Sequence, residues 1–244
     1  MNILHLKQSL KKMTAYALSI IAFPLNCISC GSPSYGVALC KTCITDFLEN
    51  IEPWENRCKH CGVLRISEVE TCLECREEVR VNHVSSIFPI HPYVLWKKEL
   101  LFAWKIANGR CFTPLFAQLV HNVLATYYKD LIIVPIPPRK GKIKKKGWDQ
   151  IDDLCNTLEN KYHHTVRILL ERISGDEQKK LSKEERLEKS GKNYSVKTGI
   201  KDIPKEVVLI DDVMTTGATL ENCASALLAA GIEKVHAVTI FYVP

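Results

Sequence analysis

Apolar residues follow two regimes along this chain. Before Val84 they are scattered singly among cysteines and turn-forming residues, and after it they gather into runs. Val84 to Pro92 reads as extended chain. Leu95 to Ala107 places Leu100, Leu101 and Trp104 at helical spacing and closes at Asn108-Gly109, and Leu115 to Tyr128 reads as a second helix. Leu131 to Ile136 then reads as a strand, Trp148 to Tyr162 as a helix, and Val166 to Leu170 and Val207 to Ile210 as strands. Thr219 to Ala230 is a further helix and Lys234 to Val243 a last strand. Short strands with no polar face, separated by helices, belong to a sheet covered on both sides. The expected fold class is therefore α/β, a mostly parallel sheet with helices on both faces.

Two stretches depart from this rhythm. Ser174 to Lys192 is almost entirely charged or small and reads as a solvated loop or helix. Residues 25 to 80 are turn-rich and too poor in large aliphatic residues to hold a core by burial alone. Ahead of them, Lys7, Lys11 and Lys12 precede an apolar run from Ala15 to Phe23, which imitates a secretion signal. No small-residue cleavage site follows, and the run is about half the length of a membrane span. A docking helix is expected there, with a membrane-surface or export segment as the alternative. The division expected is a helix over 1–24, a cysteine-rich module over 25–80 and an α/β domain over 81–244. With no transmembrane segment read elsewhere, the expected location is cytoplasmic.

Eleven cysteines change the picture more than the formal charge of +6 does. Eight of them form four Cys-x-x-Cys pairs: Cys27 with Cys30, Cys40 with Cys43, Cys58 with Cys61, and Cys72 with Cys75. A Cys-x-x-Cys turn points both sulfurs the same way, so two turns supply the four thiolates of a closed tetrahedral site. The intervals between pairs are nine, fourteen and ten residues, which assigns the first two pairs to one ion and the last two to another, interleaving being the alternative. Structural zinc is the expected occupant, contributing folding free energy. An iron–sulfur cluster and redox-active dithiols are the competing readings. His60, between Cys58 and Cys61, is expected to be an exposed histidine, and Cys111, Cys155 and Cys223 to be small buried hydrophobes.

Candidate chemistry concentrates in the stretch from Val207 to Leu220, where a strand ends in Asp211 and Asp212 and a hydroxyl-rich turn opens a helix. Ligands of open α/β sheets bind beyond the carboxyl ends of strands. Neighbouring carboxylates there can accept from two ribose hydroxyls, directly or through magnesium. Thr215, Thr216, Gly217, Ala218 and Thr219 offer hydroxyls and backbone N–H groups at a helix N-terminus, which favours a phosphate. Gly217 is expected to let the backbone approach the anion closely.

This segment resembles the phosphoribosyl pyrophosphate motif of type I phosphoribosyltransferases. Val134-Pro135-Ile136-Pro137, the basic run from Arg139 to Lys146, Gly147-Trp148-Asp149-Gln150, and then Gln178, Leu181 and Arg186 resemble, in order, segments of the ComF family of competence-associated proteins. The cysteine module is similar to theirs as well, a double zinc ribbon. The resemblance covers the chain from about Phe23 onward, with Trp148-Asp149 in place of a usual Phe-Asn and Lys189 where an asparagine often follows. It implies a phosphoribosyltransferase-like domain that binds phosphoribosyl pyrophosphate with magnesium. It also implies that Arg139 and Lys140 face the pyrophosphate, and that Gln178 and Arg186 belong to a flap over the pocket.

Lys142, Lys144, Lys145 and Lys146 can neutralise several phosphates of a single strand, and Trp148 is expected to stack on a base; a solvated loop is the alternative. The family resemblance implies a role in handling single-stranded DNA, with DNA-uptake proteins as partners, during natural transformation. The position that carries a base-contacting carboxylate in purine-salvage enzymes is Thr215 here, which disfavours that branch. Two functions follow from different classes: a competence protein with a ribose phosphate site, and an active transferase acting on a nitrogen base.

Overall fold

The computed structural model describes residues 25–34, 38–66, 69–105, 109–138, 147–173 and 193–244. The segment 1–24, the basic run 139–146 and the flap segment 174–192 lie outside the described residues.

The cysteine region opens with a two-residue pair of strands, β1 (Leu25–Asn26) and β2 (Pro33–Ser34), followed by helices α1 (Lys41–Glu49) and α2 (Leu73–Glu77). It is built twice over on one local plan. In each Cys-x-x-Cys turn, the N–H four residues after the first cysteine donates to that cysteine's carbonyl: Gly31 to Cys27, Ile44 to Cys40, Gly62 to Cys58 and Arg76 to Cys72. Cys40 and Cys72 are the N-caps of α1 and α2, so the second pair of each half sits on a first helical turn. These short helices had no signature in the apolar pattern.

The α/β part comprises β3 (Ser86–Pro92), α3 (Trp96–Lys105), α4 (Thr113–Tyr127), β4 (Ile132–Pro135) and α5 (Gln150–Tyr162), followed by β5 (Leu170–Arg172) and β6 (Tyr194–Val196), then β7 (Glu206–Met214), α6 (Ala218–Ala229) and β8 (Lys234–Tyr242). The main sheet runs β3-β8-β7-β4, and every pairing in it is parallel, as its doubly apolar strands require. Val208 and Ile210 enter a core with α1, α3, α4 and α5, while Val207 and Leu209 enter a second core with α6. The expected strand over Val166 to Leu170 is corrected. Val166 makes a single parallel bridge to Ile133, and Leu170–Arg172 pairs antiparallel with β6 instead. The Thr165 carbonyl and the Arg167 N–H both bond Ile133 of β4, so the stretch touches the sheet edge for one bridge, while the Arg167 guanidinium donates to the carbonyls of Lys201 and Asp202 at 2.8 and 2.6 Å.

The cysteine region shares its core with the α/β part. Phe47 of α1 is 1% exposed, stacks on His91 at 4.5 Å and meets Phe116 and Phe241 edge-on or tilted. The second half is fastened to β3 by Arg57, which is 4% exposed. Its guanidinium donates to the carbonyls of Glu52, Gly62, Pro89 and Ile90 and lies 4.1 Å over the Phe88 ring. Burial lowers its pKa from the usual arginine value, and the ring and carbonyls stand in for lost water. Gly62 completes the contact: a Cβ there would fall 1.8 Å from the Ile87 carbonyl oxygen, at a φ of +72°.

Gly62→Ala is therefore expected to destabilise the fold by at least about 2 kcal/mol in urea titration, from backbone clash and left-handed strain together. His91 supplies a pH dependence. Burial, with Lys97 and Arg57 nearby, depresses its pKa to about 3, while its Nε2 donates to the Phe47 carbonyl at 2.9 Å. The unfolded chain titrates near 6.5, so it takes up a proton that the fold refuses: His91 contributes full stability above that pH and loses it as pH falls toward 3. Between pH 6.5 and 5 the stability slope approaches about 1.4 kcal/mol per unit, and His91→Gln is expected to remove it from a urea-denaturation series.

Candidate functional site

The carboxyl ends of β4 and β7 define the site. These strands are neighbours, with Pro135 opposite Ile210. The chain leaving β4 goes to α5 on one face of the sheet, and the chain leaving β7 goes to α6 on the other. Connections that part to opposite faces open a crevice between adjacent strand ends, the usual ligand position in such sheets. Ile136 to Pro138 leave the sheet here, immediately ahead of the basic run, and Gly147 to Asp149 return here.

Asp211 and Asp212 lie on β7 just past its last pairing with β4, ahead of Val213 and Met214, which end the strand, and strand alternation gives the two carboxylates different surroundings. Asp212 follows Ile210 onto the α5 face, where it is 7% exposed. Lys105, the last residue of α3, donates to its Oδ1 at 2.7 Å, and Gln150, the first of α5, donates to its Oδ2 at 2.6 Å. Because the Gln150 amide nitrogen faces the carboxylate, its Oε1 points away, buried and with no hydrogen-bond partner among the described residues. Such an acceptor costs about 1–3 kcal/mol until a donor meets it. Asp211 is half-buried, accepts the Asp212 N–H at 2.8 Å and lies close enough to Cys223 of α6 to push that thiol's pKa further up than burial alone does. Sequence reading missed Lys105 as a partner of this pair. A helix-terminal lysine has no sequence signature, and only the fold brings it to Asp212.

The turn that follows presents Thr215, Thr216, Ala218 and Thr219 to solvent and buries Gly217. Ala218 N–H donates to Thr216 Oγ1 at 3.4 Å, and α6 starts with the unpaired donors of any helix N-terminus. The structure adds a reason for glycine at 217. With φ at +77°, a Cβ there would meet the Val81 Cγ2 at 2.4 Å, so the turn packs directly against the segment leaving the cysteine region. Glu221 in the first turn of α6 ties the same segment down, accepting from the N–H groups of Asn82 and His83 at 2.8 and 3.0 Å.

Asp149 caps α5 by accepting from Ile151 and Asp152. Trp148 is 8% exposed and packs into the core, with the Arg110 guanidinium 5.5 Å over its ring. Its expected role as a base-stacking platform is corrected on that ground: the indole lies under Arg110, which Asp153 holds as an ion pair. Of the lone cysteines, Cys155 and Cys223 are buried as expected, but Cys111 is exposed because the adjoining Phe112 takes the core position. Arg139, Lys140, Lys142, Lys144, Lys145 and Lys146, and Gln178 and Arg186, lie outside the described residues.

The cysteines assemble as their spacing suggests. Cys27, Cys30, Cys40 and Cys43 form one group and Cys58, Cys61, Cys72 and Cys75 another, with the sulfurs of each within 4.8 Å of one another. Contacts of 3.7 Å between Cys30 and Cys40 and 3.6 Å between Cys61 and Cys72 match the edge of a tetrahedron with metal–sulfur bonds of about 2.3 Å. Burial opposes ionisation of Cys27 and Cys58, yet backbone N–H groups pull them down to about 6 and about 7. Burial and the neighbouring sulfurs push Cys75 up to about 12; Cys43, though drawn down by Ser29, reaches about 12 by the same crowding. Four thiolates this close call for a divalent cation to offset their repulsion. Each group can hold a metal ion. His60 is half-buried rather than exposed, because it borders a cavity between the second cluster and the sheet.

Residues 150–244 match the phosphoribosyl transferase domain family. The chain is 28% identical to competence protein ComFC of Streptococcus pneumoniae, over 81% of this chain and 84% of that one. It is 26% identical to ComFC of Bacillus subtilis, over 92% of this chain and 77% of that one. With competence protein F of Haemophilus influenzae it shares 23% identity over 73% and 81% of the two chains. A hypoxanthine phosphoribosyltransferase of Staphylococcus aureus aligns with 55% of this chain and 64% of its own, at 18% identity and a TM-score of 0.32, a likeness too slight to bear on the site. With a phosphoribosyl transferase domain behind two four-cysteine clusters, the chain is similar over most of its length to the ComF competence proteins.

Proposed function

We propose that this chain is a ComF-type competence protein that captures a ribose phosphate, in the first place phosphoribosyl pyrophosphate with magnesium, and handles single-stranded DNA in the cytoplasm during natural transformation. The observation that carries the reading is the pair Asp211 and Asp212 near the end of β7, beyond its last pairing with β4, with exposed Thr215, Thr216 and Thr219 in the turn and first helical residues that follow Met214. In this reading Asp211 and Asp212 accept from the ribose hydroxyls, with Lys105 and Gln150 holding Asp212 in place. The turn from Thr215 to Thr219 takes the phosphate on N–H groups and hydroxyls. Arg139 and Lys140 face the pyrophosphate, Gln178 and Arg186 belong to the flap, and Lys142, Lys144, Lys145 and Lys146 meet the phosphates of the strand. That the relatives are competence proteins supports the competence role. No described helix is long and apolar enough to cross a membrane.

The metal in each cysteine cluster is read as structural zinc, since four sulfurs leave no position open for water. The first 80 residues are then a helix and a double zinc ribbon, and 81–244 a phosphoribosyltransferase-like domain. A second reading, an active transferase joining the phosphoribosyl group to a nitrogen base, shares the same site.

Calorimetry with phosphoribosyl pyrophosphate and magnesium tests the site: Asp211→Asn and Asp212→Asn are each expected to weaken binding by about tenfold or more, as loss of a charged hydrogen bond does. Absence of binding by the unaltered chain would end the reading. Replacing Lys144, Lys145 and Lys146 with glutamine is expected to spare that affinity and lower both DNA uptake and the salt dependence of single-strand binding. Pyrophosphate release on adding a base, followed by enzymatic phosphate assay, selects the transferase reading. Metal analysis is expected to find two zinc ions per chain and one in Cys58→Ser, whose α/β part loses the wall resting on β3.

A further inference from the structure

The amino end of the main sheet, opposite the carboxylate pair, carries a second polar constellation. Ser86 opens β3, Glu206 opens β7, and His236 of β8 stands in register with Ser86 on one side and Val208 on the other. Alternation along the strands puts all three side chains on the face to which Val208 belongs, beside Tyr128, the residue that ends α4. Ser86 Oγ lies 2.6 Å from His236 Nδ1, and His236 Nε2 lies 2.7 Å from Glu206 Oε1. The Tyr128 hydroxyl lies 3.0 Å from Ser86 Oγ. The proposed ribose phosphate site uses none of these residues.

One assignment of protons satisfies every bond. His236 and Lys234 hold the Glu206 carboxyl below the usual glutamate range, so it is ionised and can only accept, and Nε2 carries the ring proton. Nδ1 is then an acceptor: Ser86 O–H donates to it, and Tyr128 O–H donates to Ser86 Oγ. Burial pushes the Tyr128 pKa up to about 12, which keeps the phenol protonated and a donor. A hydroxyl bonded to an imidazole that a carboxylate orients is the arrangement that activates serine as a nucleophile on unrelated folds. The two ring nitrogens exchange the partners they have in serine proteases. That changes how the imidazole is placed, but it can still take a proton at one nitrogen while the other is held.

The serine hydroxyl is within reach of a small molecule. These four side chains border a cavity of about 540 Å³, within the roughly 300–1,000 Å³ of small-molecule sites. Trp54, from the cysteine region, and Tyr127 meet with ring centroids 6.2 Å apart and form an aromatic wall that Leu131 continues, while Lys129 is the cation in the lining. An apolar group lies against that wall with its carbonyl toward the polar side. The Tyr128 O–H can then turn from Ser86 Oγ to the oxygen on which negative charge develops.

We infer that Ser86, His236 and Glu206 form an acyl-transfer site at the amino end of the sheet, one that takes a carboxylic ester with a small apolar acyl group. Ser86 Oγ adds to the carbonyl carbon, and its proton passes to His236 Nδ1. The adduct collapses with cleavage of the bond to the leaving oxyanion, which takes that proton. Water then adds to the acyl carbon and gives a proton to Nδ1. The bond to Ser86 Oγ breaks, Oγ recovers the proton, and the carboxylic acid departs. Ser86 and His236 are the catalytic residues of this step, and Glu206 is a positioning residue.

The test treats the full chain with an alkyl fluorophosphonate, which bonds to an activated serine with loss of fluoride, and with 4-nitrophenyl acetate. Peptide mass mapping is expected to find one phosphonyl group, on Ser86. Ser86→Ala is expected to take none and to release no 4-nitrophenolate above the uncatalysed rate. His236→Gln is expected to slow labelling by roughly a hundredfold, as loss of a general base does. Glu206→Gln is expected to slow it by about tenfold or more at an unchanged urea midpoint, because this side chain is 37% exposed. In the unaltered chain, labelling is expected to slow as pH falls and His236 takes up a proton, a charge that Glu206 favours and Lys129 and Lys234 oppose. Absence of label on Ser86 in the folded chain overturns the inference. So does a folded Glu206→Gln labelled as fast as the unaltered chain, or ester hydrolysis that persists undiminished in Ser86→Ala.

Discussion

One buried guanidinium joins the two halves of this protein. Arg57 precedes the first cysteine of the second cluster and donates to carbonyls on its own loop, Glu52 and Gly62, and on β3, Pro89 and Ile90. A cation removed from water in this way is tolerable only with its donors occupied, so the position of the loop relative to β3 is narrowly determined. Gly62 against the Ile87 carbonyl leaves no room for a different approach. Everything beyond depends on this seat: the path of residues 79 to 83, the contact of Val81 with Gly217, and the bonds from Asn82 and His83 to Glu221 at the head of α6. The turn from Thr215 to Thr219 is therefore held by the segment that leads out of the cysteine region as well as by the strand and helix it joins.

The carboxylate pair shows how a sheet assigns different duties to adjacent residues. Alternation along β7 sends Asp212 toward α3 and α5, where Lys105 and Gln150 orient it, and leaves Asp211 half-buried near α6. A buried carboxylate needs such partners to remain charged. Each of its oxygens still has acceptor capacity beyond the one donor it has, so orientation and ligand binding are compatible. The Oε1 of Gln150, turned away from this carboxylate, is buried with no hydrogen-bond partner among the described residues. The cysteine clusters apply the same logic to sulfur: each brings four sulfurs within reach of one metal ion, which would offset the repulsion between their thiolates.

Periodicity revealed the elements that bury a whole face or both faces, and little else. β7, β8 and α6 were legible to within a few residues because each contributes a continuous apolar surface to a core. Val166 to Leu170 has the composition of a strand, but it meets the sheet only at Ile133, and from Leu170 the chain pairs with β6 instead. Helices α1 and α2 escaped notice because their starts are set by cysteine geometry, with Cys40 and Cys72 as caps that lack a side-chain oxygen. Trp148 read as a stacking platform for a base beside a basic run, and it packs into the core.

By itself the sequence determined local chemistry: which cysteines pair into turns, which strand ends in two carboxylates, and which turn carries hydroxyls at a helix start. These depend on residues within a few positions of one another, and their spacing is enough. Only the tertiary structure decided what faces them. Lys105 and Gln150 reach Asp212 from positions 107 and 62 residues away. Residues as far apart as His60, Val81, Met214 and Tyr242 border one cavity. Contacts of that kind come from how a parallel sheet orders its strands and sends its connections to opposite faces, and spacing along the chain carries no record of it.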